Sequence, residues 1–442
     1  MATQLSRTFS SQGNQRKFTI SVWVKRSNLT AGQSIFGSGG SGNYATNMYF
    51  STINELQFWN YFGGAYAGYK YSSAVFRDTS AWYHIVFRVD TTSATASERM
   101  RIYVNGEEIS YSTSSDPGQN QTMEIGHTGA HYIGGYGTGA QAEMCMSHFH
   151  YCDGQSYAPT EFGEYDTNGV WKIKNEPSVS YGVSGHFLFN NDASVTDQSG
   201  LGNNWSTSGT LTQTEDNPSN VFATLNPLDK AINGTLPTFA YGNTQWTASG
   251  NSTSNNAVRG TLGNSNGKYY FEAKLLEATN TMIGVHLTSV SPFYDGDGYM
   301  GSNSGFYGIY INDTDNISAR VAGSSGVSGL GSVTNNDIIG CAFDFDNNKF
   351  YFSKNGTWLN SGDPTSGATG TGSFGTLASG LYVPGITNVS WTVASSTAFN
   401  FGNGYFGTTA VASAGTNASG IGIFEYDVPT GYTALSTKGL NL

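Results

Sequence analysis

The feature that most constrains this chain is the alternation of apolar and polar side chains over short runs, which recurs along the whole sequence. Apolar residues fall at every second position, the period of a strand that buries one face, and no run has the period of an amphipathic helix. The clearest runs are residues 18–24, 82–89, 268–275, 339–345 and 350–352. We therefore predict an all-β fold of antiparallel strands, in which each sheet has one buried face and one face in contact with water.

The alternation also predicts which side chains point inward and where the chain reverses. The predicted inward rows are Phe18, Ile20, Val22 and Val24; Tyr83, Ile85, Phe87 and Val89; and Tyr269, Phe271, Ala273 and Leu275. The dipeptides Asn105-Gly106 and Asn355-Gly356 follow directly after predicted strands. Because Asn-Gly tolerates the positive φ angles of a tight hairpin turn, we predict chain reversals at both places.

The length of 442 residues is too great for one compact core and suits two sandwich domains. A Gly- and Asn-rich stretch at residues 197–205 interrupts the alternation, Ser and Thr residues follow it, and Asn226-Pro227 marks a boundary. We predict two consecutive antiparallel β-sandwich domains of the jelly-roll type. The first covers residues 1–190, a linker covers 191–226, and the second covers 227–442 with a C-terminal extension.

Composition argues against several classes of protein. The net charge is -11, and only 20 Lys and Arg residues are spread along the chain, so we expect no nucleic-acid binding. No apolar run approaches the roughly 20 residues that span a bilayer, and the first residues do not form a secretory signal, so we expect no membrane insertion. Cys145, Cys152 and Cys341 are an odd number in a long chain, which predicts no disulfide framework and synthesis in a reducing cytoplasm. Cys341 alternates with apolar residues, and we expect a buried thiol there.

Particular segments of the two halves resemble two known domain families. In the first half they are Leu5-Ser6-Arg7-Thr8, Trp82-Tyr83-His84-Ile85-Val86, Ile102-Tyr103-Val104-Asn105-Gly106, Phe149-His150-Tyr151-Cys152-Asp153-Gly154 and Gly169-Val170-Trp171. In the second half they are Gly267-Lys268-Tyr269-Tyr270-Phe271-Glu272, Gly305-Phe306-Tyr307-Gly308, Asp337-Ile338-Ile339-Gly340 and Phe352-Ser353-Lys354-Asn355-Gly356. The first set resembles a laminin-G-like (concanavalin A-like) jelly roll, and the second resembles a SPRY domain. The resemblance implies a laminin-G-like sandwich followed by a SPRY-like sandwich.

The order of the two halves, with the joint at residues 197–228 and the ending after Phe399-Asn400-Phe401-Gly402, resembles structural proteins of marine tailed bacteriophages. This resemblance implies a virion component made in the host cytoplasm: a tail fibre or spike, or a fibre or decoration protein on the capsid. It implies other virion proteins and host-surface glycans as partners, and a homo-oligomer. The alternatives are a bacterial carbohydrate-binding or adhesion protein and a glycoside hydrolase.

Two departures from the phage proteins bear on the fold. Those proteins often carry an extra strand ahead of the segment that begins at Leu5, where this sequence has only four residues. One hypothesis is that an edge strand is missing or is supplied by a neighbouring chain. The second departure is residues 410–420, which form an insertion in the C-terminal stretch and leave its geometry open.

Aromatic residues beside amides are the candidates for glycan binding, because flat rings stack on the apolar faces of sugars and amides bond hydroxyls. The candidates are Tyr61, Tyr66, Tyr69, Tyr132, Tyr136, Tyr294 and Tyr299. The alternative at any single position is core packing beside a Gly-rich turn, which we favour residue by residue.

The sequence lacks the features of a catalytic site. Glycoside hydrolysis needs two carboxylates about 5–9 Å apart, and the nearest acidic run, residues 161–166, has the wrong spacing for one strand face. We therefore expect no enzymatic activity and no catalytic residues. Four histidines could supply zinc ligands, but we favour half-exposed strand and loop positions for them. They are His127, His131, His148 and His150.

Calcium is the more plausible metal, because sandwich loops offer carboxylate and carbonyl oxygens. The weak candidates are Asp295 and Asp297, with Asp313 and Asp315 as a second pair. Both compositions are also those of ordinary turns. We expect no cofactor, with Ca²⁺ as the alternative.

Overall fold

The computed structural model describes residues 3–137, 141–190, 193–230, 237–248, 256–291, 300–390 and 393–441. Within these ranges the chain forms 33 strands and six short 3-10 helices, and it forms no α-helix. The prediction of an all-β fold is confirmed. The chain divides into two compact units, Met1–Gln213 and Thr214–Leu442. None of the described helices is long and apolar enough to cross a membrane.

The first unit consists of sixteen strands and two 3-10 helices, at Ala96–Glu98 and Pro159–Glu161. The strands are β1 Gln4–Thr8, β2 Lys17–Arg26, β3 Gln33–Ser41, β4 Tyr44–Phe50, β5 Glu55–Phe62, β6 Ala65–Val75, β7 Trp82–Asp90, β8 Met100–Val104, β9 Glu107–Glu108, β10 Tyr111–Ser115, β11 Ala130–Ile133, β12 Met144–Asp153, β13 Gly163–Tyr165, β14 Trp171–Ile173, β15 His186–Leu188 and β16 Ser206–Ser208. They form an eight-stranded sheet in the order β10-β6-β5-β4-β3-β11-β1-β16 and a six-stranded sheet in the order β15-β12-β2-β7-β8-β9. A separate hairpin pairs β13 with β14.

The core of the first unit contains the side chains that the alternation predicted to point inward. The even-numbered apolar residues of β2 and the odd-numbered ones of β7 pack with residues of the eight-stranded sheet such as Phe36, Phe50 and Phe58. The predicted turn at Asn105-Gly106 joins β8 to β9, and both of its residues have positive φ. The apolar side chains of alternate positions thus account for this core.

Most of the predicted linker at residues 191–226 belongs to one unit or the other. Trp205 is buried in the core of the first unit, and β16 pairs with β1 through Ser6 and Ser206. Phe222 and Ala223 are buried in cores of the second unit. The Ser- and Thr-rich composition suggested a loop, but β1 needs a partner on its outer side, and β16 of the same chain supplies it. The hypothesis that β1 lacks an edge strand or takes one from a neighbouring chain is therefore wrong.

The second unit consists of seventeen strands and four 3-10 helices, at Met300–Ser302, Leu359–Ser361, Pro364–Thr369 and Gly439–Asn441. The strands are β17 Leu225–Lys230, β18 Thr238–Ala240, β19 Gln245–Ala248, β20 Asn256–Gly260, β21 Lys268–Glu277, β22 Thr281–Leu287, β23 Phe306–Ile311, β24 Ile317–Val321, β25 Ser324–Ser325, β26 Ile338–Asp344, β27 Lys349–Lys354, β28 Thr357–Trp358, β29 Tyr382–Asn388, β30 Ser395–Asn400, β31 Tyr405–Phe406, β32 Thr409–Ala410 and β33 Thr433–Ala434. Its two sheets have the orders β17-β20-β29-β22-β23-β24-β25 and β18-β19-β30-β21-β26-β27-β28. Their inner faces enclose the predicted row of Tyr269, Phe271, Ala273 and Leu275 together with Cys341.

The C-terminal segment of the second unit lies over the outer side of β21 and its neighbours. Phe424 and Tyr432 pack there against Tyr270. Glu272 is buried and accepts hydrogen bonds from the backbone amides of Glu425 and Tyr426, both at 2.9 Å. The inserted residues 410–420 are tied to the same segment, since the Gly415 amide donates to the Phe424 carbonyl at 2.9 Å. This outer face is therefore buried.

Candidate functional site

The outer surface of the eight-stranded sheet carries a row of side chains that crosses all of its strands. Each member stands opposite the next one on the neighbouring strand, so the row runs at right angles to the strands. From edge to edge the row is Ser115, Tyr69, Trp59, Asn47, Gly37, Tyr132, Ser6 and Ser206. Since opposite residues point to the same side of a sheet, these rings and small polar groups share one surface.

Two further sets of residues flank this central row on β4, β5 and β6. On one side stand Tyr49, Gln57 and Tyr71, and on the other side stand Tyr61 and Tyr66. We call the central row and these flanking residues the open face. Neighbouring rings meet mostly edge to face, an arrangement favoured for aromatic pairs. The centroid distances are 6.1 Å for Trp59 and Tyr66, 5.3 Å for Tyr61 and Tyr66, 5.9 Å for Tyr66 and Tyr69, and 5.3 Å for Tyr69 and Tyr71.

Tyr136 fills the position in the central row that has no side chain of its own. A Cβ atom added to Gly37 would lie 2.7 Å from Cδ2 of Tyr136, so the ring of Tyr136 lies directly over the glycine. The same ring is 6.1 Å from Trp59 in an edge-to-face contact. The row of rings on β6 and β5 thereby continues toward Tyr132 on β11.

The open face offers rings and hydroxyl groups to solvent but has little charge. Tyr66 is 58% exposed, and the other rings of the face are half-buried. The Tyr49 hydroxyl donates to Oε1 of Gln57 at 2.5 Å, and Nε2 of Gln57 donates to Glu55 at 2.8 Å. Burial, with neighbouring phenols and Glu55, raises the pKa of Tyr71 to about 12. Its hydroxyl therefore stays protonated at neutral pH and can both donate and accept a hydrogen bond.

The structure brings five of the seven predicted tyrosines onto this face. They are Tyr61, Tyr66, Tyr69, Tyr132 and Tyr136. The sequence analysis missed Trp59, Tyr49 and Tyr71, although Trp59 alternates with Tyr61 and Tyr71 alternates with Tyr69. Tyr294 and Tyr299 lie outside the described residues, as do Asp295 and Asp297. Whether any of these residues bind a ligand stays a prediction.

The outer surface of the six-stranded sheet, unlike the open face, is buried by another segment of the chain. Its side chains include Thr19, Ser21, Trp23, His84 and Cys152, which are all buried. We call this surface the covered face, because residues 155–181 lie over it: their aromatic and apolar side chains pack on the sheet at Tyr157, Phe162, Val179 and Tyr181. The prediction that each sheet has one face in contact with water is therefore wrong for this sheet.

A hydrogen-bonded chain on the covered face has a Ser–His pair but not the arrangement of a nucleophile and its base. Nδ1 of His84 accepts a hydrogen bond from Nε1 of Trp171 at 3.0 Å, so the ring proton is on Nε2. Nε2 therefore donates to the hydroxyl of Ser21, at 2.8 Å, and cannot take that hydroxyl's proton. Complete burial lowers the pKa of His84 to about 3, so this ring is neutral at physiological pH.

The four candidate zinc ligands do not converge. His131 lies on the inner side of β11, where Nε2 accepts from the Gly126 amide and Nδ1 donates to the Gly129 carbonyl. His148 and His150 lie on β12 in the other sheet, and His150 bonds the Tyr181 hydroxyl at 2.8 Å. The prediction that these are half-exposed positions is correct for His127 but wrong for the other three, which are buried by core and covering residues.

The described residues contain no group of three or more His, Cys, Asp or Glu side chains placed to hold a metal ion. Asp313 and Asp315 lie in the turn between β23 and β24, where Asn312 accepts from the amides of Thr314 and Asn316. In the acidic run 161–166, Asp166 accepts from the amides of Asn168 and Val170, both at 2.9 Å. The side-chain oxygens of Asn312 and Asp166 therefore stabilise turns.

Both units match known domain families. Residues 3–144 match the concanavalin A-like lectin/glucanases superfamily (Laminin_G_3), and residues 268–375 match the SPRY domain. The first unit thus contains a concanavalin A-like domain and the second contains a SPRY domain, and both are β-sandwiches as predicted. Domains of these two kinds suggest a carbohydrate-binding or protein-interaction role. No curated protein matches the sequence.

Solved structures that resemble this chain include two SPRY domains and a pentraxin. The SPRY domain of human HERC1 is 15% identical, with a TM-score of 0.30, and covers 40% of this chain and 96% of its own. The TRIM65 PSpry domain is 14% identical, with a TM-score of 0.29, and covers 40% and 90%. The heptameric SAP-like pentraxin of Limulus polyphemus is 17% identical, with a TM-score of 0.27, and covers 36% and 72%.

Proposed function

We propose that this protein binds glycans through the open face of its first unit and is a non-catalytic structural component of a tailed-phage particle. The observation that carries the binding proposal is the row of rings across the eight-stranded sheet, with Trp59 and Tyr69 directly opposite each other. Partly exposed rings beside hydroxyl groups can recognise sugars, since the rings stack on C–H faces and the hydroxyls bond sugar hydroxyls.

The non-catalytic part of the proposal is supported by how the polar groups are used. His84, which lies beside a serine hydroxyl, has its basic nitrogen occupied by Trp171. The carboxylate of Asp166 accepts backbone amides, and that of Glu272 does too. Hydrolysis requires a carboxyl group free to exchange a proton with the substrate. We expect no release of reducing sugar from neutral or anionic polysaccharides on incubation with the purified protein.

Glycan binding is tested by a matched pair of tyrosine substitutions. Tyr66 is 58% exposed on the open face, and Tyr241 is 53% exposed in the second unit. On a glycan array followed by calorimetry, we expect Tyr66→Ala to weaken binding about two- to tenfold and Tyr241→Ala to leave it unchanged. Equal losses in the two variants, or no binding by the unaltered protein, would contradict the proposal.

The place of the protein in a virion is supported by the resemblance of the joint and the domain order to phage structural proteins. Labelling purified particles with an antibody against this chain is expected to decorate the tail or the capsid. A protein found only in the soluble fraction of an uninfected bacterium would instead support the alternative, a bacterial carbohydrate-binding or adhesion protein.

A further inference from the structure

We infer that the ligand of the open face is an uncharged, unbranched polysaccharide that lies across the strands, along the central row, and is bound at internal sugar units. This inference rests on the proposed glycan binding and adds the class of glycan, its orientation and its minimum length. The observations that carry it are the register of the row, the exposure of its two ends and the absence of charge along it.

The register gives the direction and the reach of the site. Directly opposite residues on neighbouring strands are separated by about 4.8 Å, and eight strands make seven such intervals, so the row is roughly 34 Å long. Tyr69 and Trp59 stand on adjacent strands, Tyr136 covers the Gly37 position, and Tyr132 follows on the next strand. Rings thus recur along the row at intervals of one or two strands. A ligand able to contact all of them is a linear polymer of rings.

The two ends of the row show that a polymer can extend past it. Ser115 at one end and Ser206 at the other are both exposed, and each is on an edge strand of the sheet. A site that recognises a chain end needs a wall that stops the ligand, as in a closed pocket. Exposed serines on edge strands provide no such wall, so internal units of a long chain fit the row as well as terminal ones.

The two halves of the row differ in width. Flanking tyrosines stand beside the central row only on β4, β5 and β6. Toward β1 and β16 the row narrows to Tyr132, Ser6 and Ser206. The half that carries Trp59 should therefore bind a short chain by itself, and the half that carries Tyr132 should add affinity only when the chain is long enough to reach it.

The charge of the face selects against acidic polysaccharides. None of the residues in the central row or in the flanking sets is charged, and two negative groups lie beside them, Glu55 next to Gln57 and Glu124 near Tyr136. Anion recognition in proteins depends on Arg and Lys, whose charge compensates the loss of hydration. A sulfated or carboxylated chain would meet Glu55 and a protein of net charge -11 without a cation in the row.

The experiment compares chain length and charge on one backbone. The unaltered protein is first screened against neutral polysaccharides, namely laminarin, xylan, mannan and hydroxyethyl cellulose, and against their acidic counterparts, including carboxymethyl cellulose. Calorimetry then follows oligosaccharides of the bound polymer from disaccharide to octasaccharide. We expect binding to a neutral polymer, an affinity that rises with length, and at least tenfold weaker binding of the acidic form at low salt.

Two variants separate the halves of the row. Trp59→Ala should weaken the binding of short and long chains alike, by about tenfold. Tyr132→Ala should leave the short chains unchanged and remove the gain of the longer ones. Circular dichroism and the midpoint of thermal unfolding, measured without glycan, show whether each variant is folded.

The outcomes distinguish the inference from the proposed function. If no glycan binds, glycan binding itself fails and the inference fails with it. If glycans bind but affinity is independent of length, or the acidic form binds better, or Tyr132→Ala weakens all lengths equally, the inference is overturned while glycan binding stands.

Discussion

The first unit has two outer sheet surfaces built from similar residues. One is buried by another segment of the chain, and the other is open to solvent. The covered face carries Trp23 and His84, and the open face carries Trp59 and Tyr69, in each case on neighbouring strands. The covered face is buried because residues 155–181 return over it and place Trp171 against His84. The open face stays half-exposed. Aromatic residues on a sheet therefore indicate a binding surface only where the chain does not return over them.

The two faces should respond differently to change. On the covered face a side chain contributes to the free energy of unfolding, because its removal leaves a cavity or a buried polar atom without a partner. On the open face we expect it to contribute to the proposed glycan binding and much less to folding.

The largest expected effect is acid unfolding of the first unit. Burial lowers the pKa of five of its histidines below the ordinary value of 6.5: to about 3 for His84, His131 and His186, to about 4 for His148, and well below 6.5 for His150. The unfolded chain then binds more protons than the folded chain below pH 6.5, so stability is present above that pH and is lost as the pH falls toward 4. Each ring with a pKa near 3 accounts for roughly 3 kcal/mol at pH 4, enough together to unfold the unit.

Hydrogen exchange between pH 7 and pH 4 checks this expectation. None of these histidines is on the open face, so glycan affinity should hold until the unit unfolds. The second unit is the internal control, because His286 is its one histidine and Glu272 has the opposite pH dependence. Equal acid stability of the two units would contradict the expectation.

The next effect is that of Trp171→Ala on the covered face. The ring of Trp171 fits against Gly106 and Gly163, where an added Cβ would lie 2.5 and 2.6 Å from its atoms. Removing the ring leaves a cavity and an unpaired Nδ1 on His84, and we expect a loss of about 3–5 kcal/mol in the free energy of unfolding. Urea unfolding followed by circular dichroism measures it.

Trp171→Phe is the control, since it keeps most of the packing and removes only the hydrogen bond, for a loss of about 1–3 kcal/mol. Glycan affinity of the folded fraction should be unchanged in both variants. A variant with normal stability and weakened binding would mean that the two faces are not independent.

These faces also show how far sequence reasoning reaches. Alternation predicted that Val22 and Ile85 point inward, and the mixture of aromatic residues and amides placed Tyr61 and Tyr69 among the candidate residues. It could not join Tyr69 to Trp59, because the register between strands depends on turns and bulges such as the one between Trp59 and Tyr61.

The sequence also did not predict that residues 155–181 cover the six-stranded sheet. The residue pattern of β7 is the same whether its second face meets water or residues 155–181. The covering segment has only a short 3-10 helix and the small β13–β14 hairpin, and it is held by contacts between residues far apart in sequence, such as Arg88 with Ser156 and His150 with Tyr181. The edge strand β16 was missed as well, because a short Ser- and Thr-rich stretch has no strand signal of its own.

A smaller effect on stability is expected in the second unit, and it tests whether the covering of a sheet face seen in the first unit also holds there. The C-terminal segment of the second unit covers β21 and bonds Glu272 through the amides of Glu425 and Tyr426. Burial raises the pKa of Glu272 to about 7, above its usual 4.5. A raised pKa means that stability is full at low pH and is lost as the pH rises through 7. Relative to Glu272→Gln, we expect the unaltered unit to lose roughly 2 kcal/mol between pH 5 and pH 8.

Hydrogen exchange of the Glu425 and Tyr426 amides measures this loss. The comparison with Glu272→Gln cancels the contribution of His286, which is the same in both proteins. Glu277→Gln is the matched control, because Glu277 is an exposed residue of the same strand. A difference profile that is flat with pH, or one that Glu277→Gln also produces, would argue against a titrating carboxyl beneath the C-terminal segment.

Gly37→Ala should have the smallest effect on stability, and it gives the most direct test of the comparison between the open face and the covered face. The added methyl group would lie 2.7 Å from Tyr136 and must displace its ring, although no ring of the open face has been removed. We expect a loss of about 1 kcal/mol in stability, because the displaced ring is half-buried, and a loss of affinity comparable to that of Tyr136→Ala. Gly32→Ala is the control, since a Cβ atom added to Gly32 would lie 3.8 Å from its nearest neighbour, the Phe50 carbonyl oxygen. If Gly37→Ala binds glycans normally while Tyr136→Ala does not, the ligand needs the ring of Tyr136 but does not need it in its position over Gly37, and the assignment of that ring to the Gly37 position of the central row would be wrong.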